Sequence, residues 1–445
     1  MKNTRQIWGW ALYDWANSAF ATTVMAGFFP VFFKSYWSAG TDVNTSTAQL
    51  GLGNSLASLV VALMAPVLGS VADRGNARKK FLIVFAYLGV LATAALCVVG
   101  QGHWEMAILV YAVGILGFSG ANVFYDSLLP EVANEEEIDF VSGLGFAVGY
   151  LGGGILFSLN VLTVLKAEMF GLTSASAVRL SFLSVALWWG AFTLFTVFWV
   201  KETPHAPDAA RTGNMFSQGF RQLAGTFRKT RHLKTVFLFL VAYWLYIDGV
   251  DTIIRMAVDY GLSLGFASND LILALLITQF VGFPSALIFG RLGERWDVRK
   301  SIFLAIGIYM FITVWGVLMT EKSEFYVLAI LIGTVQGGIQ ALSRSYYSRL
   351  IPKGQAGEFY GFYNMLGKFA AILGPALIGL VGLASKWWFM PPLPSPDQVT
   401  AVEQAASRWS IGSLLILFLV GGTLLYFVDE EKGKREIKGY EEQEA

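Results

Sequence analysis

Cysteine is all but missing from this 445-residue chain. Cys97 stands alone, so no disulfide can form within the chain and cysteine usage says nothing about redox compartment. Histidine is nearly as scarce: His103, His205 and His232 are the full set, and all lie at or outside the ends of apolar runs. No HExxH pattern occurs, which removes a common sequence sign of a zinc hydrolase. No metal, cofactor or enzymatic activity is expected. Charge is sparse as well, at 14% of residues where a soluble domain carries roughly 25%. The net charge of +1 comes without a basic, aromatic-interleaved surface region, so nucleic acid is not an expected partner. The N-terminal MKNTRQ runs into an aromatic-rich segment without a small-residue cleavage site, so the first apolar run is expected to be retained.

What is abundant is apolar length. The chain is 55% apolar with a mean hydropathy of +0.56. A hydrocarbon core is crossed by about 20 apolar residues. Uncharged runs of that order are Trp15–Phe33, Val43–Ala72, Phe81–Gly102, Met106–Tyr125, Phe140–Leu165 and Leu180–Val200 in the first half. The second half has Leu271–Gly290, Ser301–Thr320, Phe325–Ser343 and Trp409–Val428. Two further runs are interrupted, Thr235–Tyr260 by Asp248, Asp251, Arg255 and Asp259, and Phe359–Ser385 by Lys368. The pattern predicts an all-α membrane protein of twelve helices, six on each side of a basic middle loop. Orientation follows from Lys and Arg. With both termini and the middle loop inside, only Lys34, Lys166, Arg179, Lys322, Lys386 and Arg408 fall outside, and Arg255, Arg344 and Lys368 fall within spans. The rest of the 32 basic residues are cytoplasmic.

The two halves repeat. GSVADRGNARKK at Gly69–Lys80 aligns with GRLGERWDVRK at Gly290–Lys300, placing Gly69 on Gly290, Asp73 on Glu294, Arg74 on Arg295 and Arg78 on Arg299. A second match joins ANVFYDSLLPEV to LSRSYYSRLIPK, with Pro130 on Pro352, Tyr125 on Tyr347 and Asn122 on Arg344. Both copies are displaced by about half the chain. Duplication inside a membrane chain points to a transporter. The organisation expected is a six-helix half over 1–200, a middle loop over 201–234, a second half over 235–428 and a charged tail over 429–445. Phe216, Phe220, Leu223 and Phe227 recur at helical spacing among basic residues, which predicts an amphipathic helix on the inner membrane face. A flexible linker is the alternative. PPLPSPD predicts an irregular outer loop, and the charged tail is expected to be disordered.

The loop motifs resemble the signature of the major facilitator superfamily, G-x-L-A-D-R-x-G-R-[RK], with Gly69, Val71, Ala72, Asp73 and Arg74 fitting it. The second glycine is absent, replaced by the region of Asn76 and Ala77. WALYDWANSAFATTV, SVADRGNARKK and NVFYDSLLPEVA resemble more narrowly the vacuolar-effluxer-like, or unknown major facilitator, branch in its compact bacterial form. The resemblance implies two pseudo-symmetric six-helix halves, with helices 1, 4, 7 and 10 lining a central path. It implies alternating access and, from the fungal members, amino-acid efflux.

Charge within a bilayer is costly, so the spans that carry it are informative. Asp14 and Asn17 lie on helix 1, Asn122 and Asp126 on helix 4, and Asp248, Asp251 and Arg255 on helix 7. Arg344 lies on helix 10, and Asn364 and Lys368 on helix 11. Asn122 with Asp126, and Asn364 with Lys368, are four apart and share a face. Lys368, near mid-depth, is either a cation that meets a substrate carboxylate or a structural partner for an acid on helix 7. Asn364, Asn122, Asn17 and Gln336 are candidate hydrogen-bonding groups for the solute, with Gln279 and Gln340 less specific. Arg344 either holds an anionic group or pairs with Asp126 or Asp14 as an inner gate. Asp248, Asp126 and Asp14 are candidate proton carriers. Asp14 and Asp126 are placed close to the cytoplasmic ends. Asp73, Arg74, Arg78, Glu294 and Arg295 are expected to gate, or else to act only as topology signals. Asp251 and Arg255 read as an outer latch. GYLGGG at Gly149–Gly154 lacks the Lys–Ser/Thr of a phosphate loop and reads as close helix packing. With no ATP-binding loop, an ion or solute gradient is the expected driving force. The rival readings are lipid or drug export by the same fold, and a non-transporting membrane sensor. A monomer in the bacterial inner membrane is expected.

Overall fold

The structure is a computed structural model that describes residues 4–41, 43–74, 77–202, 233–263, 268–391 and 395–444. The expected amphipathic helix of the middle loop lies outside the described residues. All regular structure among the described residues is helical. In the first half the helices are α1 (Thr4–Trp37), α2 (Val43–Arg74), α3 (Arg78–Leu96), α4 (Trp104–Ser127), α5 (Ile138–Leu165) and α6 (Ser174–Trp199). The second half has α7 (Lys234–Ser263), α8 (Ser268–Arg295), α9 (Val298–Leu318), α10 (Lys322–Arg349) and α11 (Ala356–Phe389). It closes with α12 (Pro396–Gly412, running on as Leu415–Tyr426) and α13 (Glu430–Glu444). Among the described residues ten helices are long and apolar enough to cross a membrane. The other two long ones, α2 and α11, carry shorter described apolar stretches, Leu59–Gly69 and Leu373–Phe389.

Three boundaries differ from expectation. Helix α1 begins at Thr4, not Trp15, so Asp14 sits ten residues, about 15 Å, into the helix and deeper than predicted. The outer loop is regular sooner than its prolines suggest. Ser395 and Gln398 form a reciprocal capping box, with Pro396 in the first turn, so a helix starts where irregular structure was expected. The tail is helical where disorder was expected. Gly433 and Ile437 bury one side of α13, and Glu436 accepts from the Thr235 backbone N–H at 2.9 Å. That apolar and polar anchoring is what a free charged tail would lack.

The chain forms two compact units, Met1–Arg228 with Ile351–Met365, and Lys229–Leu350 with Leu366–Ala445. In the first, the glycine-rich run of α5 packs against α1. A Cβ on Gly149 would meet the Ser18 Oγ at 2.7 Å, one on Gly152 the Trp15 carbonyl at 2.6 Å, and one on Gly153 the Thr22 Oγ1 at 2.6 Å. These glycines serve helix approach. Trp188 stacks on Trp15 and donates to its carbonyl, and Trp189 is buried beside Gly89. Both tryptophans therefore pack against helices.

Each unit ties a pair of helices at both ends with cations. The last carbonyls of a helix lack partners and carry partial negative charge. In the first unit Arg179 of α6 donates to the Cys97 carbonyl at the end of α3, at 2.5 Å. Lys79 of α3 donates in return to the Val200 carbonyl at the end of α6, at 2.7 Å. In the second unit Arg408 of α12 donates to the Val317 and Met319 carbonyls at the end of α9, at 3.0 and 2.8 Å. Arg299 of α9 returns the contact to Val428 O beyond α12, at 2.6 Å. The repeat seen in sequence is thus a repeat of reciprocal helix-end clamps. Replacing Arg179 or Arg408 with Leu should cost roughly 1.5–3 kcal/mol, the worth of a hydrogen bond to a charged donor. Thermal unfolding in detergent checks this, and Lys34→Leu, outside both clamps, should leave the midpoint in place.

Candidate functional site

The duplicated loop of the first half carries a dense group of bonded charges. Asp73, in the last turn of α2, takes Arg78 Nε on Oδ1 at 2.5 Å. The same carboxylate accepts the Gly357 N–H at 2.9 Å and the Glu358 N–H at 2.7 Å, the first free donors of α11. An anion at a helix N-terminus is favoured by both the orphan N–H groups and the dipole. Arg78 then spreads its remaining donors to Glu131 at 3.2 Å and to the Lys353 and Gly354 carbonyls, each at 3.2 Å. The Arg78 and Asp73 side chains are only 3% and 9% exposed. Glu202 completes the cluster by accepting the Arg78 and Lys79 backbone N–H groups at the start of α3.

Small residues allow this approach. Ala65 and Gly69 on α2 face Gly357 and Gly361 on α11. A Cβ on Gly69 would overlap the Gly357 carbonyl, and one on Gly361 would stand 2.5 Å from the Ala65 carbonyl. Small residues spaced four apart on both helices are the usual means of close helix contact in a membrane.

Deeper along α1 and α4 lies a second polar group. Asn17 donates to Asn122 Oδ1 at 2.6 Å. Asn364, one of the α11 residues in the first unit, donates to Asp126 Oδ2 at 3.0 Å and to the Tyr360 carbonyl at 3.0 Å. Asp14 accepts from Tyr125 OH at 3.3 Å and from Ser18 Oγ at 3.4 Å. Trp10 stacks on Tyr125 at 4.3 Å between centroids and donates its indole N–H to the Tyr125 carbonyl at 2.8 Å. Asp126 and Asn17 are buried. The arrangement brings carboxylates and amides from three helices together inside an apolar unit, where they offer both donors and acceptors to a polar solute.

In the second unit Asp248 is fully buried. Its Oδ1 accepts from Gly374 N at 2.9 Å and Thr252 Oγ1 at 3.2 Å, while Oδ2 is buried without a hydrogen-bond partner. Gln336 Oε1 is likewise buried without one. Arg344 is buried, at 3% exposure. Glu294 and Arg295 are exposed, unlike Asp73, so the two copies of the loop motif have diverged. Arg299, aligned with Arg78, instead does the clamping that falls to Lys79 in the first half. Asp251 is half-buried. The side chains of Arg74, Arg255 and Lys368 lie outside the described residues. Two participants were missed in the sequence, Glu202 and Glu131. Their one sequence sign is that each is an acid directly following a span.

A long-helix membrane chain with buried polar groups on α1, α4, α7 and α11 and a duplicated loop is a transporter of the major facilitator fold. Solved structures of that fold agree. A proton:xylose symporter, XylE, bound to 6-bromo-6-deoxy-D-glucose, superposes with a TM-score of 0.69 at 12% identity, covering 98% of this chain and 97% of that one. The human organic anion transporter MFSD10 gives 0.64 at 13% identity, covering 95% and 98%. Residues 39–384 match the family described as "Vacuole effluxer Atg22 like", and the chain belongs to that family. The "Uncharacterized MFS-type transporter YxiO" of Bacillus subtilis (strain 168) is 39% identical over 437 residues, covering 96% of each chain. Autophagy-related protein 22 of Kluyveromyces lactis is 23% identical over 492 residues, covering 98% of this chain and 95% of that one.

The Asp73–Arg78 pair can be weighed by a double-mutant cycle. Asp73→Asn alone should cost about 3–5 kcal/mol of stability because it leaves a buried guanidinium short of its counter-charge. Adding Arg78→Gln should recover part of that loss, with a coupling energy of about 1–3 kcal/mol. Additive losses in thermal or chemical unfolding would mean the two side chains act separately.

Proposed function

We propose that this transporter exports a small polar solute, most concretely an amino acid, by alternating access with proton coupling. The observation that carries the reading is the polar group of Asp14, Asn17, Asn122, Asp126 and Asn364, each buried or half-buried, which pairs acids with amides across α1, α4 and α11. A zwitterion needs acceptors for its ammonium and donors for its carboxylate, and this group supplies both. The family description as a vacuole effluxer supports the direction and, through the fungal resemblance, the amino-acid class. In this proposal Lys368 on α11 and Arg344 on α10 meet anionic groups, and Gln336 adds a hydrogen bond. Asp248, Asp126 and Asp14 carry protons. Asp73 and Arg78 form a latch with the start of α11 that is made and released in each cycle. Arg74, Glu294, Arg295, Asp251 and Arg255 act as secondary gating charges. The protein sits as a monomer in the inner membrane of a bacterium with both termini in the cytoplasm.

The test is uptake of a labelled amino-acid panel into proteoliposomes, with and without an imposed pH gradient. Saturable uptake of at least one member is expected. Lys368→Ala should lower its kcat/KM roughly tenfold or more, because a charge-assisted hydrogen bond is worth about 1.5–3 kcal/mol. Dependence on the pH gradient should disappear in Asp248→Asn or Asp126→Asn. No uptake of any member by folded protein would overturn the amino-acid reading in favour of lipid or drug export, or of a sensor.

A further inference from the structure

Two remote carboxylates hold α11. Asp73 binds its first turn, and Asp248 binds it again at Gly374. The second attachment lies where a proline interrupts the hydrogen-bond ladder of the helix. Pro375 follows Gly374 inside α11 and has no N–H, so the carbonyl of Ala371 loses its helical donor. The Gly374 N–H is turned to Asp248 Oδ1, which also takes the Thr252 hydroxyl. Asp248 Oδ2 is buried with no hydrogen-bond partner. Glycine is required at this contact, since a Cβ on Gly374 would overlap the Thr252 hydroxyl and stand 2.7 Å from Asp248 Oδ1.

The chemistry of the carboxyl group makes this contact two-sided. An ionised carboxylate only accepts, whereas a protonated one also donates. Ionised Asp248 matches the Gly374 N–H. Protonated Asp248 gains an O–H, and the proline has left a carbonyl one turn away without its donor. The two protonation forms therefore favour two different fits against α11. On α11 the residue against Asp248 is Gly374 itself, and Phe418 of α12 packs on the adjoining Gly249. Asp251 lies three residues further along α7.

We propose that Asp248 is a positioning residue whose protonation shifts α11 about Gly374–Pro375, so that proton binding and helix movement are one event. The inference rests on the proton-coupled reading of transport and adds the moving element to it. It needs no contact between Asp248 and the solute.

The experiment uses the full chain in nanodiscs, in a Cys97→Ser background, with spin labels at Leu383→Cys on α11 and Leu318→Cys at the end of α9. Both positions are exposed, and both belong to the second unit. The distance distribution is measured from acid to alkaline pH. A shift between two populations is expected in the otherwise unaltered chain. Asp248→Asn should hold one population at every pH. Asp248→Glu, still ionisable, should restore the transition with a moved midpoint, which a merely structural role would not do. An unchanged distribution across pH, or a transition that persists in Asp248→Asn, overturns the proposal. The outcome separates from that of the transport reading. Uptake driven by a pH gradient with a pH-independent distance sinks this inference alone. A titrating distance without gradient-driven uptake sustains it and sinks proton-coupled transport.

Discussion

Helix ends are the constraint around which this molecule is arranged. Each helix leaves backbone N–H groups free at one end and carbonyls free at the other, and an apolar surrounding makes such groups expensive. The chain answers with charges sent from other helices. Asp73 serves the start of α11, Glu202 the start of α3 and Glu436 the start of α7. Arg179, Lys79, Arg408 and Arg299 serve the ends of α3, α6, α9 and α12. Anions stand at N-termini and cations at C-termini, each sign matching the local end of the helix dipole. The few charges of this apolar chain are therefore also its tertiary fasteners. An apolar side chain in any of these places would pack, but would not satisfy the helix end it faces.

The duplicated loops show how one motif can be put to two uses. In the first half the acid of the loop is buried and joins α2 to α11 through backbone donors. In the second half the equivalent Glu294 is exposed, and the aligned arginine turns to the end of α12. Clamping by a cation survives in both copies, although it falls to Lys79 in one and Arg299 in the other. Reciprocal clamping is thus the property that the two copies share, whichever residue performs it. The buried acid contact requires in addition Gly69, Gly357 and Gly361, whose missing side chains let two backbones meet.

Much of this was legible in the sequence because it depends on composition and spacing. Membrane character, the helical class, the duplication and the family all followed from apolar runs and from two repeated motifs. The pairing of Asn122 with Asp126 on one face followed from helical spacing, and both now bond to neighbouring helices through Asn17 and Asn364. The glycines of α5 were readable as packing for the same reason. Helix starts were less legible. Charged and polar residues before Trp15 hid the first turns of α1, and the prolines around Pro396 concealed a capped helix. The tail's charge pointed to disorder because docking of Gly433 and Ile437 depends on the surface waiting for them. Glu202 and Glu131 were invisible as site residues, since their partners lie more than fifty residues away and are backbone or shared donors.

The two carboxylates on α11 differ in a way that separates fold from function. Asp73 has a guanidinium beside it and is bound through both oxygens, so neither oxygen is idle. Asp248 has its counterparts on one oxygen only, and no described residue bridges it with opposite charge. A group that is saturated can only hold or let go. A group with an idle oxygen in an apolar setting has a second bonded form available to it once it gains a proton. Pro375 supplies the complementary defect in the helix, a carbonyl deprived of its donor. A buried acid and a helix short of one hydrogen bond would each be a liability alone. Set against each other, they give this stretch of α11 an attachment that changes with the protonation of Asp248.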